Sequence, residues 1–322
     1  MTSNLKEPTF SFRQLIEKNA INFGFLLLII VACIALPKFR SINNALIVTR
    51  GFSMVTIVAM GQAMVLISGG FDLSVGAIAT CAALVCAYAM NTLGLPIGVA
   101  ILLGILVGMA CGLFNGWLVA ILRVNPLIAT LGSMMVFNGI VLILSRGYPI
   151  TFLPQSFKYL GQGYFLKVPV PIWLMIFVAI VLSIVLSKTV YGRKVYAVGG
   201  SEKTSLFVGI NVAYIKITTY MICGALAGFA GIILSSRLDT AQAGMSASWN
   251  LPSIAAAVIG GVALFGGEGK IYRVLIGGAL IGVISNILIL FHLSSYWQDL
   301  VTGIILISAV AAEAIQIKKE SI

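Results

Sequence analysis

Side chains able to do chemistry are few in this sequence, and their spacing does not assemble them into a catalytic group. His292 is the only histidine among 322 residues. That excludes a zinc or haem centre built from several histidines. A nucleophile–histidine–aspartate arrangement would have to use His292, and no Ser-bearing elbow motif points to it. The run Gly260-Gly261-Val262-Ala263-Leu264-Phe265-Gly266-Gly267-Glu268-Gly269-Lys270 invites a phosphate-loop reading. Spacing defeats it: Leu264 stands where the first glycine is needed, and Ile271 follows Lys270 where Ser or Thr is required. Cys33, Cys81, Cys86, Cys111 and Cys223 are scattered singly in apolar surroundings and read as packing residues. Asp72 alone interrupts a long apolar region. It reads either as a cap for a helix that restarts after Gly69-Gly70, or as a contact for a solute or proton inside a membrane. No catalytic residue, metal ligand or cofactor site is expected in this chain.

The elements that carry these residues follow from composition. Charged residues make up 9%, against about 25% in soluble domains. Apolar residues reach 60% and the mean hydropathy is +1.09. So few charges cannot coat a soluble surface, which excludes cytosolic enzymes, secreted domains and disordered regulators. The 34 glycines suit helices that pack closely in lipid. The chain is expected to be an all-α polytopic membrane protein, a single domain over 1–322. Charge-free stretches run 19–37, 51–71, 73–122, 124–145, 168–187, 217–236, 240–267, 274–298 and 300–312. A span needs about 20 apolar residues, so 73–122, about 75 Å long as one helix, must fold back. Asn91-Thr92-Leu93-Gly94-Leu95-Pro96 supplies the turn. About ten transmembrane helices result, the last one complete only if Asp299 and Glu313 sit at the interfaces.

Of the 20 Lys and Arg, 13 fall on the side of the N-terminus and 7 on the other. The positive-inside rule therefore places both termini in the cytoplasm, with 1–20 as a cytoplasmic N-terminal segment. The net charge of +11 reflects this topology; nucleic acid binding would need a clustered basic face, which is missing. Ile30-Val31-Ala32-Cys33 looks like a lipoprotein cleavage box, yet Ile34-Ala35-Leu36 continue the apolar run, so an uncleaved first span is expected. Residues 38–50 read as an interfacial stretch. Residues 146–167, rich in aromatics, form the largest outer loop, suited to the headgroup level or to docking an outside partner. Polar or helix-breaking candidates for a translocation path include Gly70, Asp72, Ser74, Asn125 and Thr130, along with Gln62, Asn115, Asn138 and Asn286. Gly104/Gly108/Gly112 and Gly224/Gly228 have helix-packing spacing.

Residues 188–216 are the longest cytoplasmic connection. Ser201 can cap a short helix with Glu202 in its first turn, and Leu206 and Ile210 then share a face with Phe207 beside them. Such a helix suits a groove on a soluble partner. Four segments, GGFDLSVG from Gly69, NPLIATLG from Asn125, YGRKVYAVGGSEKTSLFVGINVAYIKI from Tyr191 and SIAAAVIGGVALFGGEG from Ser253, occur in the order of a known family. Together they resemble the membrane permease of bacterial sugar ABC importers, of the ribose/xylose/galactose type.

That resemblance implies a fold like the vitamin B12-type importer permeases and a place in the bacterial cytoplasmic (inner) membrane. It implies two cytosolic ABC ATPases that carry the ATP and Mg, a second permease copy or paralogue, and an external sugar-binding protein. It makes 201–210 the coupling helix seated in the ATPase, through Ser201, Glu202, Lys203, Thr204, Leu206, Phe207 and Ile210. The family often has paired alanines after the acidic position, where this chain has Lys203, Thr204 and Ser205. An ion-coupled carrier or passive facilitator working without an ATPase is the alternative, and the scarcity of buried carboxylates argues against the carrier.

Overall fold

The computed structural model describes residues 20–294, 296–298, 300–305, 307–308 and 311. The N-terminal segment through residue 19, Asp299, Glu313 and the C-terminal Lys318 and Lys319 lie outside the described residues. The first half of the chain forms α1 (Ala20–Ala35), α2 (Ile42–Ile67), α3 (Val75–Asn91), α4 (Ile97–Ala120) and α5 (Pro126–Ser145). A short connection follows, made of β1 (Ile150–Thr151), α6 (Gln155–Gln162), β2 (Tyr164–Phe165) and β3 (Val168–Pro169). Then come α7 (Val170–Lys188), α8 (Val190–Gly200), α9 (Glu202–Phe207), α10 (Val212–Leu238), β4 (Thr240–Ala241), α11 (Asn250–Ile259) and α12 (Ile271–Leu290). Among the described residues six helices, α2, α4, α5, α7, α10 and α12, are long and apolar enough to cross a membrane. Shorter apolar helices cover Phe23–Ala35, Val75–Asn91 and Ala247–Ile259.

Two segments gain detail. Residues 38–50 are regular in structure: Pro37–Arg40 is one 3-10 turn, and Ser41 then caps α2 by accepting from Asn44 N at 3.1 Å. The polar residues there are tolerated because Asn44 and Asn286 exchange two side-chain amide hydrogen bonds of 3.0 Å, tying α2 to α12. Residues 240–267, expected as one span, do not form one continuous helix. The chain pairs as β4, turns through Gly244 at positive φ, makes a 3-10 turn at Ala247–Trp249 and only then enters the ten-residue α11. Gly260 and Gly261 end that helix, and Gly266 and Gly267, both at positive φ, shape the loop beyond. The fold-back at 91–97 stands as expected, with α3 ending at Asn91 and Gly94 at φ 66°.

α2 is the central post, buried at every residue from Thr56 to Ile67. Around it pack α10, α11, α12 and α7, while α3 and α4 lie against α10. The α4–α10 crossing brings backbone onto backbone. A Cβ at Gly108 would press on the Gly224 carbonyl, one at Gly112 on the Tyr220 carbonyl, and one at Gly116 would lie 2.8 Å from the Ile217 Cα. The four-residue glycine period seen in the sequence is thus a helix contact, where only a missing side chain allows the approach.

The two ends of the bundle differ. At one end β1 pairs antiparallel with β4, Ile150 opposite Ala241, and Asn91 Nδ2 donates to Thr151 O at 3.0 Å. α6 lies across the end of α10, with Phe157 buried and Gly161 N donating to Ser236 Oγ. Asp239, just beyond α10, pairs with Lys158 at 2.7 Å and accepts from Leu153 N, and the Lys158 contact holds its carboxyl below the ordinary range. Arg50 rests over the Tyr164 ring, 4.7 Å from its centroid. At the opposite end α8 closes the bundle: Tyr196 Oη donates to Gly269 O at 2.8 Å, and Gly267 N donates to Ile67 O at 2.9 Å.

Candidate functional site

The most polar buried place in the bundle is the break between α2 and α3. α2 ends in a Schellman turn, with Gly69 at φ 76° and hydrogen bonds Gly70 N→Val65 O and Gly69 N→Leu66 O. The chain then runs irregularly through Phe71, Asp72 and Leu73 before α3 begins at Val75. Tyr220, which touches this break, lies eight residues into α10, so the break sits about 12 Å inside the bundle from that helix end. Non-helical backbone at such depth must find partners inside the protein. Here side chains supply several of them. Tyr220 Oη accepts from Phe71 N at 3.0 Å and donates to Phe71 O at 2.9 Å. Thr130 Oγ1 accepts from Leu73 N at 3.1 Å, and Asn250 Oδ1 accepts from Gly76 N at 2.8 Å.

Asp72 is fully buried and completes the set. Its Oδ1 accepts from Ser74 N at 2.8 Å and from Ser74 Oγ at 2.6 Å, and its Oδ2 lies 3.3 Å from Asn115 Nδ2. This is an Asx turn two residues before the helix, not the N-cap itself, which is Ser74. The carboxyl shapes the entry to α3 and ties it to α4. Asp72→Ala should therefore lower stability by about 1–3 kcal/mol, the cost of stranding buried donors. Asp72→Asn, which keeps one acceptor, should lose less than half of that. Thermal unfolding in a mild detergent reads both, and an alanine variant as stable as the parent would contradict the assignment.

Of the path candidates, the structure brings together Gly70, Asp72, Ser74, Thr130 and Asn115. A Cβ at Gly70 would lie 2.9 Å from Tyr220 Oη, so Gly70 is needed for the turn to approach that tyrosine. Asn125 does not join them: it is exposed and caps α5 by accepting from Leu127 N at 3.0 Å. Asn138 is exposed on α5. Tyr220 and Asn250 were not legible as partners, since they stand 149 and 174 residues from the backbone groups they satisfy. Asp72, Ser74, Asn115 and Thr130 are all buried here, so in this structure the region is a hydrogen-bonded joint between α2, α3, α4, α5 and α10.

The second candidate lies at the opposite end from the β1–β4 pair. Ser201 caps α9 as expected, accepting from Thr204 N at 3.2 Å and donating to Thr204 Oγ1 at 2.9 Å. Glu202 does more than face the helix dipole: its Oε1 pairs with Lys216 Nζ, pinning α9 to the first turn of α10. Lys203 and Thr204 are exposed. One detail is corrected. α9 stops at Phe207 in a Schellman turn, with Gly209 at φ 79° and Ile210 N donating to Ser205 O at 2.9 Å. Ile210 is therefore outside the helix and packs on the core, so it does not share a face with Leu206. Leu206 and Phe207 are left 60% and 91% exposed, with Val208 beside them. The preceding helix α8, unforeseen in the sequence, fixes this platform: Thr189 caps it, and the Gly199 backbone presses on the end of α2. Burial on this face pushes the Tyr196 hydroxyl above its ordinary pKa.

Residues 44–310 match the family described as branched-chain amino acid transport system / permease component. The chain is 39% identical over 308 residues to the ribose import permease of Bacillus subtilis (strain 168), covering 95% of each chain. It is 37% identical over 309 residues to the L-arabinose transport system permease of Escherichia coli (strain K12), covering 96% of this chain and 94% of that one. The D-allose transport system permease of the same organism is 33% identical over 309 residues, 92% of this chain and 95% of that one. No solved structure matches the chain.

Proposed function

Since the chain belongs to the branched-chain amino acid transport system / permease component family, we propose that it is the membrane-spanning permease subunit of an ATP-driven importer for a monosaccharide. The observation that carries the sugar assignment is identity of 33–39% over nearly the whole chain to permeases for ribose, arabinose and allose. The family description itself names amino acid transport, and the full-length sugar relatives decide between the two solutes. Phosphate-loop spacing is missing from the chain, so ATP and Mg belong to a separate ATPase and this subunit is not itself an enzyme. The protein is multi-pass and resides in the bacterial cytoplasmic membrane.

The finer reading has ten spans, both termini cytoplasmic and a fold like that of vitamin B12-type importer permeases. The six long helices, the three shorter ones and the helical residues 300–305 support the count. The separation of the 146–169 end from the 188–216 end supports the orientation, because the charge count placed those segments on opposite sides. Two permease chains, two ATPases and an external binding protein form the assembly, with α9 of each permease seated in one ATPase. Its exposed Leu206 and Phe207, held on a rigid platform, support this.

Reconstitution in vesicles tests the function. Uptake of labelled ribose, arabinose and allose should require ATP, the ATPase and the binding protein. Uptake of any of them by the chain alone, driven by a proton or sodium gradient, would establish the carrier reading instead. For topology, a tag after Lys319 should report cytoplasm, and Tyr148→Cys should label from outside with an impermeant thiol reagent. Tyr148 is well exposed, whereas a side chain at Gly161 would collide with the Arg237 backbone. Labelling of Tyr148→Cys only after permeabilisation would reverse the orientation.

A further inference from the structure

α7 and α10 are bridged by α6 at one end of the bundle and by α8 at the other. Towards the α8 end a groove of about 520 Å³ opens on the side of the bundle, lined mostly by α10, with Val185 and Thr189 from the end of α7 and Met109 from α4. The α10 lining is a single stripe: Tyr214, Thr218, Met221, Ile222, Ala225 and Leu226 recur every turn of the helix. From Tyr214 to Leu226 the stripe is about 18 Å long. One leaflet of a bilayer holds about 15 Å of hydrocarbon, half of the ~30 Å core, so the groove has the length of one lipid chain.

Polarity is graded along this length. Tyr191 of α8 closes one end, its hydroxyl 2.9 Å from Thr218 Oγ1, and Tyr214 stands on the same rim, 59% exposed. Beyond Thr218, α10 presents only methionine, isoleucine, alanine and leucine. Tyrosine hydroxyls followed by bare hydrocarbon match the headgroup boundary and the acyl-chain depth below it. A hydrophilic solute would find no partner past Thr218. Charge marks the polar end as well. Lys188 adjoins Thr189, and Arg193 and Lys194 follow Tyr191 by two and three residues; all three are exposed and make no ion pair among the described residues. Glu202, the one acid of the 188–216 segment, is taken by Lys216. This positive rim complements an anionic headgroup. A second copy laid face to face here would set the same cations against one another.

We propose that this groove is a lipid site, which takes one acyl chain of an anionic phospholipid from the leaflet at the 188–216 end and sets its phosphate among Lys188, Arg193 and Lys194. The proposal rests on α7 and α10 crossing the membrane and is independent of the solute carried.

The test is native mass spectrometry of the full chain, assembled with its ATPase and released from bilayers of phosphatidylglycerol and phosphatidylcholine in equal amounts and of equal chain length. Phosphatidylglycerol should be retained at least about tenfold over phosphatidylcholine, since each Lys or Arg near a membrane surface favours an anionic lipid by about fivefold. A phosphatidylglycerol with a diazirine on its acyl chain should cross-link within residues 218–226. Ala225→Trp, which fills the groove from α10, should remove the retained lipid, and Val185→Phe, which fills it from α7, carries the same expectation if Ala225→Trp fails to insert. Lys188→Gln with Arg193→Gln should cancel the headgroup preference. Equal retention of the two lipids overturns the proposal, as does a lipid that stays in the filled variants. Separation of two permease chains in Ala225→Trp would give the groove to a second copy, and loss of the ATPase with unchanged lipid preference in the charge variant would give the cations to the ATPase; either result also overturns it. Labelled ribose uptake by the parent reports the sugar-permease function in every case, so the two readings fail separately.

Discussion

Phe207→Ala should release the ATPase and abolish ATP-driven uptake while leaving the permease folded and inserted. Phe207 is 91% exposed, so its removal strands nothing inside the chain, and exposed positions of this kind change stability by less than about 0.5 kcal/mol. Its value appears only in a partner. Burying a phenylalanine is worth roughly 1.5–3 kcal/mol, and aromatic anchors in partner grooves often cost 2 kcal/mol or more when truncated. Retention of the ATPase should fall by about thirtyfold on that basis, read by co-purification in a mild detergent. Glu202→Lys should act in the same direction, because it places two cations together where Lys216 now pairs with Glu202 and lets α9 leave α10. Tyr159→Ala, on the far end of the molecule, should retain the ATPase. A Phe207→Ala complex that co-purifies intact and transports normally would show that α9 is not the contact.

Gly112→Val should be the most damaging single change within the membrane region. A Cβ there meets the Tyr220 carbonyl group, 2.9 Å from its carbon, and lies 3.1 Å from the Met221 Cα. These are backbone atoms of α10, which cannot turn aside as a side-chain tip can. Overpacking typically costs about 1–3 kcal/mol, and α10 carries Tyr220, which satisfies the break at Phe71. Separation of α4 from α10 should therefore disturb that joint as well. The expected result is a large loss of detergent-stable protein and a lower unfolding temperature. Gly139→Ala, with open space around its Cβ position, should be neutral. Equal behaviour of the two variants would mean that the α4–α10 crossing is looser than described.

Local signals in the sequence led to features that depend on local chemistry. The four-residue glycine period gave the α4–α10 contact, and Gly69-Gly70 with Asp72 gave the position of the helix break. Ser201 and Glu202 located α9. Features set by distant partners were hidden. Asn44 and Arg50 could not be matched to Asn286 and Tyr164 from spacing alone. A hydropathy window over 240–267 averages across Gly244 and Pro252 and cannot register that the chain turns before α11. The lone charged residue Asp72 drew attention as a pathway marker because intramembrane charge is expensive. In the structure its carboxyl is taken up by Ser74 and Asn115.

The reliance of the Asp72 joint on remote side chains also sets a timetable for biogenesis. Phe71 must wait for Tyr220, 149 residues later, and Gly76 for Asn250, 174 residues later. At about 5–20 residues per second of synthesis, the exposed backbone of this turn goes without its final partners for roughly 7–35 s. During that interval α2 and α3 cannot rest in lipid as a finished hairpin. Unpaired backbone is costly in hydrocarbon, so the nascent turn is better kept in an aqueous or protein-lined environment until α10 and α11 arrive.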